Sequence, residues 1–269
     1  MRIKILATAA FAAAGFVLAP AVAQAQIASF KEDFSTNALP ATLEESGPSP
    51  IYSGGSVIFP NTGRRYLRTI GNYNNTNFVA ELTFTVMSGA GEGNGIGYFG
   101  FGAGTADPYS YNEPSTSPTT YVRMAPSDFY GFFGVATDPF GGTQINDGGG
   151  DGTYRVRITW NHVSKTFTAA AQKNYTGGTF SPTATIVLTP DNQPFGDTNS
   201  RIFFGGAGNN VFDDLRVLAL DGTPGAIDCH GQSISGLTRQ FGSVVRIVSV
   251  LGFASIQDLQ NLITGFCGN

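Results

Sequence analysis

Carboxylates are the first side chains to test for chemistry in this chain. Glycoside cleavage requires two of them held about 5–10 Å apart across the sugar bond. On a single strand that spacing needs acids at alternate positions, as in E-x-D-x-E, and no such run occurs. Glu44 and Glu45 lie in a Pro- and Gly-rich region, and Glu92 and Glu113 stand alone. Asp213 and Asp214 are adjacent, which on a regular strand sends them to opposite faces. Nucleophilic hydrolysis is no better supplied: of the 2 histidines, His162 falls in a turn and His230 in a loop beside Cys229. There is no G-x-S-x-G elbow and no G-x-x-x-x-G-K-[ST] phosphate loop. Residues 146–152 place Asp147 and Asp151 at two positions of a calcium loop. They put Gly149 and Ile158 where ligands are required, so the segment reads as an acidic hairpin loop. No catalytic residue emerges, which favours a protein without an enzymatic activity. One acidic grouping survives: Glu32 and Asp33 open the β region, while Asp213 and Asp214 stand near its end. First and last strands of a sandwich often pair, and that pairing would gather these four as a calcium site.

The elements that must position them begin after a processing signal. Arg2 and Lys4 precede an apolar run from Ile5 to Leu18, and Ala23-Gln24-Ala25 forms a small-x-small cleavage site, the layout of a secretory signal over residues 1–25. The apolar run is short of the roughly 20 residues a membrane span needs, and no later run is long enough. Losing Arg2 and Lys4 takes the 15 basic side chains to 13 against 19 acidic ones, a net charge of −6. That balance argues against nucleic acid and against adsorption to anionic lipid. The expected location is secreted, periplasmic or at the cell surface.

Residues 26–222 read as strands. Phe78, Ala80, Leu82, Phe84 and Val86 alternate with Glu81, Thr83 and Thr85; Tyr154, Val156, Ile158 and Trp160 alternate with Arg155, Arg157 and Thr159. Period two is the mark of half-buried antiparallel strands. The turn at 161–164 leads into a partner strand at 165–171, completing a hairpin. Further strands are expected at 56–59, 96–102, 121–124, 130–135, 185–188, 201–204 and 212–220. Turn residues cluster between them, and no helix intervenes, so a sandwich or barrel follows.

Residues 223–269 switch to helical spacing after Thr223-Pro224-Gly225. Three short helices are expected, with Ser233, Ser243 and Ser255 as N-caps and Gly242, Gly252 and Gly265 near the C-terminal ends. Cys229 and Cys267 are the only cysteines, and in an oxidising compartment they should pair around this unit. The tail carries more apolar positions than so small a unit can hide, which suggests an envelope or protein partner for it.

Lys31-Glu32-Asp33-Phe34-Ser35, the run from Asp151 to Trp160, Phe203-Phe204-Gly205-Gly206 and the run from Phe212 to Val217 follow one another in an order that resembles the concanavalin A-like lectin/glucanase superfamily, including laminin-G-like modules. The resemblance spans about residues 30–220. It implies a mainly β fold, a jelly-roll of two antiparallel sheets, here followed by the small disulfide-closed helical unit. It implies glycan binding at the concave face or loop rim, with an extracellular polysaccharide or cell-surface glycan as partner. It also implies a structural calcium at the rim, to which Glu32, Asp33, Asp213 and Asp214 would contribute. Tyr98, Tyr109, Tyr111 and Tyr130 are the aromatic candidates for stacking on sugar rings, with Tyr73 and Tyr175 beside them. The tail is similar to Cys-bracketed helical tails of secreted bacterial proteins and implies no chemistry. The alternatives to a glycan-binding protein are a structural or adhesive extracellular protein and a glycan hydrolase or lyase.

Overall fold

The structure is a computed structural model. It describes residues 27–47, 49–60, 65–86, 97–103, 119–124, 129–132, 143–145, 152–182, 184–188, 200–206 and 208–268. The segment expected to be a signal, residues 1–25, and the acidic loop at 146–151 lie outside them.

Alternation along the strands decides the architecture. In β6 (Asn77–Val86) and β11 (Gly152–Asn161) the residues Phe78, Ala80, Leu82, Phe84, Tyr154, Val156, Ile158 and Trp160 all enter one core. They belong to a sheet, called A here, in the order β13 (Ala184–Leu188), β12 (Thr166–Lys173), β11, β6, β15 (Asn210–Leu220), β4 (Ser56–Phe59) and β3 (Ile51–Ser53). The short β1 (Phe30–Glu32) also pairs with β15. Sheet B faces it in the order β10 (Thr143–Ile145), β9 (Phe129–Phe132), β8 (Thr119–Met124), β7 (Gly97–Ala103), β14 (Ser200–Gly206), β5 (Arg65–Thr69) and β2 (Leu43–Ser46). Every pairing is antiparallel.

Between the sheets the core is aromatic. Phe101 lies 5.3 Å from Trp160 and 5.0 Å from Phe78, and Phe212 lies 5.0 Å from Phe84. Gly97 is where sheet B comes closest to this layer: a Cβ there would stand 2.7 Å from the Phe84 ring, so no larger residue fits without a shift. The expected hairpin is present, with Trp160 opposite Phe167 and Asn161 opposite Thr166. The first and last strands do pair, Lys31 opposite Arg216 and Glu32 opposite Leu215. The short β1, β2, β3, β5 and β10 were not expected from periodicity; at three to five residues they show too little alternation to register.

The tail forms α1 (Cys229–Phe241), α2 (Val244–Leu251) and α3 (Ile256–Cys267). Ser243 and Ser255 cap the second and third helices by accepting from the amides of Arg246 and Asp258. The Ser255 hydroxyl in turn donates to Asp258 Oδ2 at 2.8 Å. Two expectations, both at the start of α1, are corrected. Ser233 is a buried residue inside α1, which starts four residues earlier after Asp228, so His230 is helical rather than in a loop. Gly265 lies within α3, whose end is capped by Gly268.

Cys229 and Cys267 are bonded, as expected. The helices do not form a core of their own. They lie on the outer face of sheet A, where Val79, Leu218 and Leu220 join Leu237, Ile247, Leu251, Leu259, Leu262, Ile263 and the disulfide in one cluster. The sandwich itself therefore takes up part of the tail's apolar surplus, while Ile227, Val245, Val250 and Ile256 remain exposed. Gln240 ties α1 to the start of the sandwich by accepting from the Ser29 amide at 3.0 Å and donating to the Ser29 carbonyl at 2.8 Å. Among the described residues no helix is long and apolar enough to cross a membrane.

Closing a loop with a 38-residue separation constrains the unfolded chain by about 4 kcal/mol in the chain-entropy treatment. Reduction of the bond, or the Cys229→Ser/Cys267→Ser pair, should lower the urea midpoint correspondingly. An unchanged midpoint in the reduced protein would show that docking on sheet A alone holds the tail.

Candidate functional site

The outer face of sheet A carries a row of charge in place of the usual solvated polar residues. Glu81 of β6 stands opposite Arg157 on β11 and opposite Arg216 on β15, and Arg216 in turn stands opposite Lys31 on β1. Four strands thus bring four charged side chains into one line; Glu81 lies between two arginines, where opposite charges attract, while Arg216 and Lys31 face each other as like charges. Glu81 Oε1 accepts from Arg157 Nε at 2.8 Å and Nη2 at 2.6 Å. Its Oε2 accepts from Arg216 Nη1 at 3.0 Å and Arg155 Nη2 at 3.1 Å. Arg155 comes from the next row and is 1% exposed. Its Nη1 also reaches Thr83 Oγ1, the Asp214 carbonyl and Asp214 Oδ2, at 2.8–2.9 Å. Burial pushes the Glu81 carboxyl up, but the guanidinium groups of Arg157, Arg155 and Arg216 override it and hold it down at about 2.

The tail covers this row. Arg216 Nη2 donates to the Gly252 carbonyl at 2.8 Å, and the Arg216 guanidinium lies over the Phe253 ring at 4.0 Å. Gly252 caps α2 in the left-handed region at φ 65°, and a Cβ there would meet the Lys31 side chain at 2.7 Å. The carbonyl end of α2 therefore sits on two cations, the arrangement a helix dipole favours.

Between the row, the segment after β12 (residues 174–182) and the α2–α3 turn lies a cavity of about 290 Å³. Arg157, Arg216, Tyr175, Phe180, Phe253 and Asp258 are among its walls. Phe180 lies over the Arg157 guanidinium at 4.1 Å. Thr179 donates to Asp258 Oδ1 at 2.6 Å and so links the loop to α3. None of Glu81, Arg155, Arg157 and Arg216 was singled out as a site from sequence. The signal that could have found them is the combination of polar outward positions on β6 and β11 with an apolar helical surplus in need of a surface.

The four rim carboxylates do not converge as expected. β15 has an irregular register between Asp213 and Arg216, and Asp214 takes φ 51°. The bulge turns Asp214 onto Lys31 at 2.9 Å and Arg155 at 2.8 Å. Asp213 Oδ1 instead accepts from the Asp214 amide at 2.6 Å, and burial pushes its carboxyl up. Glu32 accepts from the Thr42 hydroxyl at 2.6 Å, while Asp33 accepts from the Ser35 amide at 3.0 Å; hydrogen bonding from the Ser35 side chain and then its amide holds the Asp33 carboxyl low. Among the described residues no three His, Cys, Asp or Glu side chains gather as a metal ion would need. These four do not fit a calcium site, because two cations already neutralise Asp214 and the others face separate partners.

The tyrosines are dispersed as well. Tyr98 is 4% exposed, and Tyr73 is buried with its hydroxyl donating to the Ala28 carbonyl, so neither ring is offered to solvent. Tyr130 is paired through its backbone with Arg123 and Gln144 on β8 and β10. Tyr109 and Tyr111 lie outside the described residues. Tyr175 lines the cavity, its hydroxyl donating to the Gly178 carbonyl at 3.2 Å. On the outer face of sheet B, Tyr66 and Phe203 meet edge to face at 6.4 Å. Beside them Arg68 Nε and Arg201 Nη1 each donate to Glu44 Oε1 at 2.6 Å.

No protein-family profile matches the chain, and no curated protein matches it by sequence. Solved structures do. Peanut lectin superposes with a TM-score of 0.50 at 10% identity, over 72% of this chain and 97% of its own. Lectin I from Ulex europaeus superposes with a TM-score of 0.51 at 14% identity, over 71% and 97%. The exoplasmic/lumenal domain of VIP36 does so with a TM-score of 0.52 at 10% identity, over 72% and 88%. The sandwich therefore has the jelly-roll fold of the concanavalin A-like lectins, in agreement with the sequence resemblance.

Removing one partner from a buried ion cluster costs about 3–5 kcal/mol, because the others are left uncompensated. Arg155→Met and Arg216→Met should both fall in that range, measured by urea unfolding. Because the folded pKa of Glu81 lies below its unfolded value of 4.5, its contribution is present above about pH 4.5. It is lost as pH falls toward 2. Acid should therefore unfold the protein through that window, and Glu81→Gln, though less stable at neutral pH, should show a flatter loss between pH 4.5 and 2.

Proposed function

We propose that this is an exported, non-catalytic glycan-binding protein whose sandwich is the recognition domain. One observation carries the reading. The two sheets superpose on lectins over 88–97% of the lectins' own length. Among these are Ulex europaeus lectin I in complex with the methyl glycoside of α-L-fucose and VIP36 in a Ca2+/Man2-bound form. The outer face of sheet B supplies planar hydrogen-bonding groups in Arg68, Arg201 and Glu44, beside the buried Tyr66–Phe203 pair. Export is supported by the layout of residues 1–25 and by the disulfide, which persists in oxidising compartments.

A neutral-oligosaccharide array probed with the chain starting at Gln26 should show saturable binding to a defined subset of glycans. Arg201→Ala, which removes one of the two arginine partners of Glu44 on sheet B, should weaken it at least fivefold. Absence of binding across the array from a protein with a cooperative thermal transition overturns the reading. A parallel arm in EDTA tests calcium: binding lost in chelator and restored by added calcium would require ligands beyond the described residues.

A further inference from the structure

Charge limits the choice of ligand for the cavity under the tail, because its ionised groups are already matched among themselves. Glu81 accepts from Arg155, Arg157 and Arg216, and Asp214 is neutralised by Lys31 and Arg155. Asp258 accepts from the hydroxyls of Thr179 and Ser255. The guanidinium edges of Arg157 and Arg216 are taken by Glu81, and Arg216 Nη2 by the Gly252 carbonyl. A charged ligand would enter this cluster without a counter-charge, and an unpaired charge away from water is costly.

The bonding capacity that remains is one donor and one acceptor. Arg216 is 6% exposed, and its Nε has no hydrogen-bond partner. Asp214 Oδ1 has none either: Lys31 Nζ stands 2.9 Å away and neutralises it without hydrogen-bond geometry. Both residues line the cavity. A hydroxyl is the small neutral group that donates and accepts at once, so a ligand carrying several meets both needs and brings no charge.

The rest of the wall suits a ring. Phe180 and Phe253 each give one face to a guanidinium, that of Arg157 at 4.1 Å and that of Arg216 at 4.0 Å, and both line the cavity with Tyr175 and Leu262. Apolar and aromatic wall with a few polar groups is the usual make-up of a small-molecule site, and it packs the C–H face of a hydroxylated ring. The exposed Asn261 of α3 belongs to the same wall. A volume of about 290 Å³ accommodates one six-membered ring with its substituents, at the small end of the range for ligand pockets.

We propose that this cavity is a second binding site, which takes one uncharged sugar unit. It lies on the outer face of sheet A beneath the α2–α3 turn, apart from the Glu44 group on sheet B, so either site can fail without the other.

Calorimetric titration of the disulfide-intact Arg201→Ala protein tests it, because that variant keeps the cavity and weakens the sheet B group. The neutral probes are the methyl glycosides of glucose, galactose and mannose, and the charged ones are glucuronate and glucosamine. The expected result is saturable binding of at least one neutral glycoside, unchanged in about 0.5 M salt, which screens ionic attraction. The charged sugars should bind about tenfold more weakly or not at all. Adding Ala254→Trp, which fills the opening from an exposed position outside the Glu81 cluster, should weaken the neutral glycoside about tenfold and leave the melting temperature unchanged. The proposal is overturned by folded protein that binds none of the three glycosides, by a charged sugar binding as tightly, or by unchanged affinity with Ala254→Trp. A positive titration beside a blank oligosaccharide array supports this site and sinks only the sheet B reading; the reverse pattern sinks only this one.

Discussion

A single carboxylate, Glu81, held between the guanidinium groups of Arg155, Arg157 and Arg216 is the constraint on which the rest of the molecule depends. Taking these ions out of water costs several kcal/mol each, and their attraction offsets that only when the geometry is good and the remaining donors are satisfied. The cluster is therefore poor as a source of net stability and strong as a specification. Strand side chains alternate, so a one-residue slip of β6 against β11 or β15 would turn Glu81 into the aromatic layer between the sheets and strand three cations outside. Only one register keeps both the Phe78–Phe101–Trp160 side apolar and the Arg157–Glu81–Arg216 side neutralised.

That requirement explains why the tail is part of the fold and not an appendage. Three short helices cannot be stable alone in water. Here they gain Val79, Leu218 and Leu220, which sit one and two rows away from Glu81 on the same outer face. The sheet in turn gains a cover that dries the ion cluster and supplies the Gly252 carbonyl to Arg216. The two rows divide the work: the apolar one anchors the helices, and the charged one meets the α2–α3 turn. The disulfide fixes the ends of the helical unit, so the position of that turn over the arginines is set from two directions.

Local pattern carried much of the architecture. The alternation in 78–86 and 154–160, the hairpin between them and its partner, the Ser243 and Ser255 caps and the cysteine pairing were all legible, because each depends on neighbours close in sequence or on compartment chemistry. The site was not. Glu81 looked like an outward, solvated residue, and only the pairing of strands 76 and 135 positions away reveals three arginines around it. Asp213 and Asp214 misled for a related reason. Regular strand geometry sends neighbours to opposite faces, but the bulge breaks that regularity and rotates Asp214 onto Arg155 and Lys31. A bulge is set by both strands of a pair, so one strand's sequence does not disclose it.

The likeness to lectins covers 71–72% of the chain and is a property of the two sheets. The tail therefore adds something that the fold alone does not dictate, and its effect falls on one face. An uncovered sheet A would expose Arg157 and Arg216 to water, where guanidinium groups are well solvated and bind small anions weakly. Covered by Phe180 on one side and Phe253 on the other, the same groups are partly desolvated. Electrostatic attraction strengthens as water is removed. The helices thus turn a row of charge on the sheet into a covered ion cluster with a cavity of about 290 Å³ beside it. On the outer face of sheet B the ion cluster is smaller, a single carboxylate, Glu44, shared by Arg68 and Arg201.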